Sequence, residues 1–211
     1  NKAAQYLECS EEELIFDGKR VYREDNGENG SPKEITIKDL GNMVQCANGD
    51  AIEATASHSS PVSPPPFMAG AAEVEVDLET GKVELIQFAA AVDCGTPLNK
   101  NLAKVQTEGG IAQGIGMALY EEVSYSKDGK VHENSFMQYK LPSRLDIGKV
   151  QVEIENSYEP TGPFGAKSIG EVVINTPSPA IANAVYHAVG VRVRELPITA
   201  EKVFFGMNRL D

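Results

Sequence analysis

The stretch Ala72-Glu73-Val74-Glu75-Val76-Asp77-Leu78-Glu79-Thr80-Gly81-Lys82-Val83-Glu84-Leu85-Ile86-Gln87-Phe88-Ala89-Ala90-Ala91-Val92-Asp93 decides the fold. Glu73, Glu75 and Asp77 alternate with Val74, Val76 and Leu78, the two-residue period of a strand with one wet face. Glu79-Thr80-Gly81-Lys82 then turns the chain, so residues 72–93 read as a hairpin. Its second strand, Val83 to Val92, starts by alternating and becomes almost wholly apolar at Ile86, Phe88, Ala89, Ala90 and Ala91. Such a run predicts that the strand passes beneath other elements.

After the hairpin the period changes. From Leu98 to about Glu122, Leu102, Val105, Ala112, Ile115 and Leu119 recur at helical spacing, with Asn99 and Asn101 both available as caps. This predicts one long helix. It contains Gly109, Gly110, Gly114 and Gly116, each costing roughly 0.5–1 kcal/mol relative to Ala, so something must approach it closely. Further on, Lys130–Tyr139 and Lys149–Tyr158 read as strands. Ser178 as cap, Pro179 at the first helical position and Gly190 past the end bracket an apolar helix. Val191–Leu196 reads as a closing strand, and Thr199 caps a last helix through Phe204.

Upstream of the hairpin, residues 1–9 read as the tail of a helix, and Glu13–Arg20 as a strand running into a turn at Asp17-Gly18. A solvated loop (24–32), a strand (34–37) and a short helix (38–44) follow. The proline-rich stretch 57–66 excludes helix and central strand, because proline lacks the amide donor and restricts its predecessor. Composition does not change across it, so the reading is one architecture with a long internal loop. Strands and helices mix along the chain without a repeat, which makes the fold class α+β.

The bulk numbers exclude several functions. The chain has 211 residues, enough for one good core or two small ones. Nineteen Lys and Arg against 31 Asp and Glu give a net charge of -12, which repels a phosphate backbone and argues against nucleic acid as main partner. No apolar run approaches the ~20 residues that cross a bilayer. Cys9, Cys46 and Cys94 are odd in number and far apart, giving neither a disulfide framework nor a metal cluster. Reduced thiols in a cytoplasmic protein are the expectation. The chain begins at Asn1 without an initiator Met, so it is expected to be a fragment of a larger subunit.

Two segments carry candidate chemistry. The first, Gly165-Ala166-Lys167-Ser168-Ile169-Gly170-Glu171, is entered through Pro160-Thr161-Gly162-Pro163-Phe164. Its glycine spacing imitates a phosphate-binding loop, yet Glu171 stands where that motif needs Lys, and a carboxylate there repels phosphate. A loop glutamate read by itself is either a base or a solvated surface group. The second is the glycine-rich helix from Val105 to Gly116. Gln106 and Gln113, seven residues apart, lie near one face with Gly110 between them clearing space. Amides beside bare backbone suit a flat, hydrogen-bonding ligand; alternatively the glycines only admit a packing neighbour and the glutamines face water. His58, His132 and His187 are scattered without a partner motif. Cys94 reads as a small core residue, and the Glu73-Glu75-Asp77-Glu79 stripe as a solvated strand face.

Taken together, these two segments, with Ser178-Pro179-Ala180-Ile181-Ala182-Asn183-Ala184 and Leu196-Pro197-Ile198-Thr199, resemble the end of the molybdenum-binding subunit in the xanthine dehydrogenase and aldehyde oxidase family. The likeness is strongest over 72–205, includes Ala90–Gly95 and Ser135–Pro142, and is weaker over the first 70 residues. It implies that the whole of 1–211 is a C-terminal molybdopterin-binding region. It further implies a molybdenum pterin cofactor, either plain or as the cytosine dinucleotide, to which the protein gives no direct metal ligand. By the same resemblance Glu171 is the general base of a hydroxylation at an electron-poor carbon, Gln106 hydrogen-bonds the pterin, and Ser168 lies on a loop close to it. For Gln113 the resemblance implies no more than support of the helix. A purine such as xanthine or hypoxanthine is the implied substrate, with other heterocycles and aldehydes as alternatives, and a non-catalytic binding or assembly module as the competing class. Electrons would leave through 2Fe-2S clusters to FAD on other segments or subunits, since this sequence has no cysteine cluster or FAD motif. Alone, the chain is expected to be inactive.

Overall fold

The structure, a computed structural model, describes residues 1–23, 34–48 and 51–208. The solvated loop expected over 24–32 lies outside the described residues. The chain divides into two compact units that meet at His58/Ser59. This departs from the single architecture read across the proline-rich stretch: a segment with few amide donors makes few contacts, and composition alone does not register that.

The first unit, Asn1–His58, builds α1 (Lys2–Leu7), β1 (Leu14–Phe16), β2 (Arg20–Arg23), β3 (Glu34–Thr36) and α2 (Ile37–Asn48). The three strands form an antiparallel sheet in sequence order. Asp17 makes the β1–β2 turn by accepting the amides of Lys19 and Arg20 at 3.0 and 2.9 Å, the local carboxylate-to-backbone bond that suits Asp to turns. Ala3, Leu7, Val21, Ile35, Leu40 and Val44 close a small core.

The second unit, Ser59–Asp211, is a sheet with helices on one face. Strands β4 (Phe67–Val76) and β5 (Val83–Asp93) form the expected hairpin, and β6 (Lys149–Glu155) joins β5 in parallel, giving the order β4-β5-β6. The β4–β5 register shifts between Glu73 and Val74, so that Gln87 faces Glu73 and Leu85 faces Val74, with Ile86 the extra residue. Alternation therefore survives the apolar run. Val83 and Leu85 before the bulge, and Phe88, Ala90 and Val92 after it, all point inward and are buried, whereas Ile86 is exposed. A bulge absorbs one residue without turning the core face to solvent.

Helix α3 (Lys100–Leu119) crosses from β5 to β6 and packs on β6, while α5 (Pro177–Val189) packs on β4. Phe88, Ile111, Ile115 and Ile181 are fully buried between the layers, each contributing about 1.5–3 kcal/mol. Asn99 caps α3 by accepting the Leu102 amide at 3.0 Å. The face that α3 buries includes Ile115 of the residues that mark its period, but not Leu102 or Val105. Ala103, Thr107, Gly110, Ile111, Gly114, Ile115 and Ala118 are buried, while Leu102 and Val105 are 65% and 63% exposed. The cause is close approach: a β-carbon at Gly110 would overlap Val173, and one at Gly114 would overlap Pro177.

Three further boundaries differ from the sequence reading. Lys130–Tyr139 is a series of turns with one isolated bridge, Tyr125 to Val131, because Ser124 and Ser135 donate to Glu133 and Gln138 and Ser126 accepts the Lys130 amide, local bonds in competition with a ladder. Helix α5 starts at Pro177 rather than Pro179; Ser178 sits inside it and donates to the Gly114 carbonyl at 3.3 Å. Residues 191–196 run as a loop into the cis Leu196–Pro197 bond, after which Thr199 caps α6 (Ala200–Met207) as expected.

Candidate functional site

The Gly165–Glu171 loop is fastened to the end of β5 by its backbone. Thr96 N donates to Gly165 O at 2.7 Å and Lys167 N to Cys94 O at 2.8 Å, with a bridge between Gly95 and Ala166. Gly165 has φ +80 and its Cα faces the Tyr158 ring, so both its conformation and its surroundings require a residue without a side chain. Beneath the loop lies an ion pair. Lys167 Nζ donates to Asp93 Oδ2 at 2.5 Å, with the two side chains 7% and 24% exposed, and lies 5.1 Å from the centre of the Phe67 ring. The other carboxylate oxygen of Asp93 accepts Gly95 N at 2.9 Å and Ser157 Oγ at 2.5 Å. The Lys167 ammonium, then Ser157 and the Gly95 amide, hold the Asp93 carboxyl at about 2. Burial pushes the neighbouring Cys94 thiol up, as expected for a core residue.

The same loop meets α3. Gln106 Nε2 donates to Gly170 O at 3.1 Å, so the two candidate segments adjoin. Gln106 and Ser168 are exposed, and Ser168 Oγ accepts the Gly170 amide at a long 3.4 Å. Glu171 is exposed at the start of the short helix α4 (Val172–Asn175), where its carbonyl accepts Ile174 N at 3.1 Å and its side chain makes no cap. Gly110 does not clear the space between Gln106 and Gln113, because it faces Val173; Gly109 does, since a β-carbon there would meet nothing within 4 Å. Gly170 is open in the same way.

A groove of about 620 Å³ runs beside this corner, lined by Leu98, Leu102, Val105, Gln106, Ile169 and Gly170 among others. A smaller cavity of about 390 Å³, lined by Tyr120, Asp146 and Ile198 among others, holds none of the candidate residues. Among the described residues no three His, Cys, Asp or Glu converge on a metal position. His132 and His187 are exposed. What the corner offers is bare backbone at Gly109 and Gly170, the amide of Gln106 and apolar walls, with Gln113 exposed two turns further along α3. That donor set fits a flat, hydrogen-bonding organic cofactor. The sequence reading missed the Asp93–Lys167 pair. Its signals were a carboxylate ending an apolar strand and the single cation between Pro160 and Glu171.

Comparison with known proteins agrees with this chemistry. Residues 1–148 match the family model of the molybdopterin cofactor-binding domain. The chain is 31% identical over 221 residues to the probable hypoxanthine oxidase XdhD of Escherichia coli (strain K12), covering 100% of this chain and 23% of that protein. It is 37% identical over 134 residues to the aldehyde oxidoreductase of Megalodesulfovibrio gigas, covering 63% of this chain and 14% of that one. The solved Cu,Mo-CO dehydrogenase superimposes with a TM-score of 0.82 at 27% identity, over 99% of this chain and 27% of its own. The chain thus spans about a quarter or less of the length of these relatives. With mixed strands and helices, an open hydrogen-bonding corner and these matches, the chain belongs to the molybdopterin cofactor-binding family of the molybdenum hydroxylases, and molybdopterin with molybdenum is its cofactor.

Proposed function

We propose that residues 1–211 form part of a molybdenum hydroxylase that oxidises an electron-poor carbon of a purine such as hypoxanthine or xanthine, with Glu171 as general base. The observation that carries the reading is the junction of Gln106 with Gly170, which sets an exposed carboxylate one residue from the edge of an exposed hydrogen-bonding face. Gln106, Ser168 and the bare backbone of Gly109 and Gly170 hold the pterin. When bound, the cofactor supplies the metal centre that takes the two electrons of the oxidation. Glu171 accepts at its carboxylate the proton of the oxygen nucleophile that attacks the substrate carbon, so it must be ionised and keep hydrogen-bond reach to that oxygen. Gln106 orients the loop that carries Glu171, and Leu102 and Val105 line the apolar side of the groove beside it.

Purine is favoured over aldehyde by the match to XdhD over the whole chain, against 63% of the chain for the aldehyde oxidoreductase. The 2Fe-2S clusters and FAD belong to other segments or subunits of a cytoplasmic assembly. The test is Glu171→Gln in the complete enzyme, with hypoxanthine, xanthine and an aldehyde as substrates and molybdenum measured in parallel. Loss of turnover by about 10²–10⁴ with metal retained is expected. Normal turnover with metal bound removes Glu171 as the base, and a complete enzyme that holds molybdenum but oxidises only aldehydes overturns the purine assignment.

A further inference from the structure

Lysine is almost never buried without a partner, because removing its ammonium from water costs more than its methylenes gain. Lys167 is 7% exposed and lies on the Asp93 carboxylate, with the Phe67 ring alongside. A partly buried pair of this kind is about neutral for stability when compared with apolar residues of equal volume. What it supplies is a fixed geometry. Asp93 cannot swing, since its second oxygen is committed to Gly95 and Ser157, both outside the loop. The Lys167 backbone is fixed as well, through Cys94 O. The following residues Ser168, Gly170 and Glu171 are exposed; Ile169 between them packs on the core, the Glu171 carbonyl accepts Ile174 N in the first turn of α4, and the Gln106 amide is the side-chain donor that reaches the segment from another element among the described residues.

We propose that Lys167 is a positioning residue, a partly buried latch on Asp93 that holds the Ser168–Glu171 segment in place so that Gly170 stays on Gln106 and the Glu171 carboxylate faces the cofactor side. The proposal rests on the reading of Glu171 given above for its catalytic consequence, but not for the latch itself. Without the latch the segment swings about its remaining backbone bonds, the Gly170 carbonyl spends less time on Gln106, and the base is presented in many orientations. Substrate binding would change little and the chemical step would slow.

The experiment uses the complete molybdenum-containing enzyme with Lys167→Met and with the double substitution Lys167→Met/Asp93→Asn. The double variant leaves no unpaired buried charge and keeps the acceptor for Gly95 and Ser157, so its melting temperature is expected to return close to the parent value. Amide hydrogen exchange of residues 168–171 is expected to stay about tenfold faster in both variants, as for the loss of a charge-assisted tether. In both, kcat falls on the order of tenfold to a hundredfold while KM is little changed. A double variant with parent exchange and parent kcat overturns the proposal and leaves the pair a stabilising contact only. A Glu171→Gln enzyme that keeps its turnover sinks the base assignment alone, because the exchange measurement decides the latch independently.

Discussion

The side-chain amide of Gln106 on α3 donates to the backbone carbonyl of Gly170 at 3.1 Å, joining residues 64 apart in sequence at the rim of an open groove. The bond uses the amide nitrogen, and no donor among the described residues reaches the amide oxygen. One side chain therefore holds the loop with its donor and leaves its acceptor open, which under the proposed function takes a ligand N–H.

Gln106→Ala removes both functions at once. A single neutral hydrogen bond contributes about 1 kcal/mol net, so cofactor release is expected to accelerate about fivefold. Molybdenum content of the complete enzyme before and after prolonged dialysis measures this. Equal retention by the variant and the parent would contradict a cofactor contact at Gln106.

Neighbouring glycines of α3 should respond in opposite directions. Gly110→Ala gains about 1 kcal/mol of helix propensity but drives a methyl into Val173, an overpacking cost of about 1–3 kcal/mol. Net destabilisation is expected. Gly109→Ala meets nothing within 4 Å and should stabilise the cofactor-free protein by about 0.5–1 kcal/mol. If the cofactor lies on that face, the same methyl reduces molybdenum content. Thermal melts of cofactor-free protein and metal analysis of the complete enzyme separate the two effects, and a Gly109→Ala enzyme with full metal would place the cofactor elsewhere.

The contrast between these glycines marks how far the sequence could be read. Alternating Glu73, Val74, Glu75 and Val76 show the hairpin because period two needs no partner to be visible. The bulge at Ile86 restores alternation that the apolar run conceals. On α3 Leu102 and Val105 suggest a buried face and are exposed, because Val173 and Pro177 need room that Gly110 and Gly114 provide on the other side. Close packing selects small residues, and hydrophobicity does not report that choice. Gln106 and the Gly165–Glu171 loop were legible as separate motifs. Their contact depends on α3 returning beside the loop, and the Asp93–Lys167 pair joins residues 74 apart, a pairing no local pattern carries.

Acid titration should expose that pair. The Asp93 carboxyl is held at about 2 by Lys167, Ser157 and the Gly95 amide, below an unfolded value of about 3.9. A depressed carboxyl pKa contributes stability that is fully present above the unfolded value and is lost as pH falls through the folded one. The contribution of Asp93 therefore fades between about pH 4 and 2. Urea midpoints measured across that window should fall less steeply in Lys167→Met/Asp93→Asn than in the parent. Parallel slopes would mean that the carboxyl is not depressed.

Thr176, which links α4 to α5, gives a prediction of opposite sign to most substitutions. Its Oγ1 is buried without a hydrogen-bond partner and packs against Gly70 beside the Phe88 ring. A hydroxyl withdrawn from water without compensation costs about 1–3 kcal/mol. Valine has nearly the same shape and replaces the hydroxyl with a methyl that the apolar surroundings accept. Because Gly70 leaves no spare room there, part of the gain is offset by the slightly larger methyl. Thr176→Val is therefore expected to stabilise the protein by about 1 kcal/mol, which for a domain of this size is a melting shift of about 2–4 °C upward. The same shift downward would show that the hydroxyl has a partner in solution, an ordered water being the simplest.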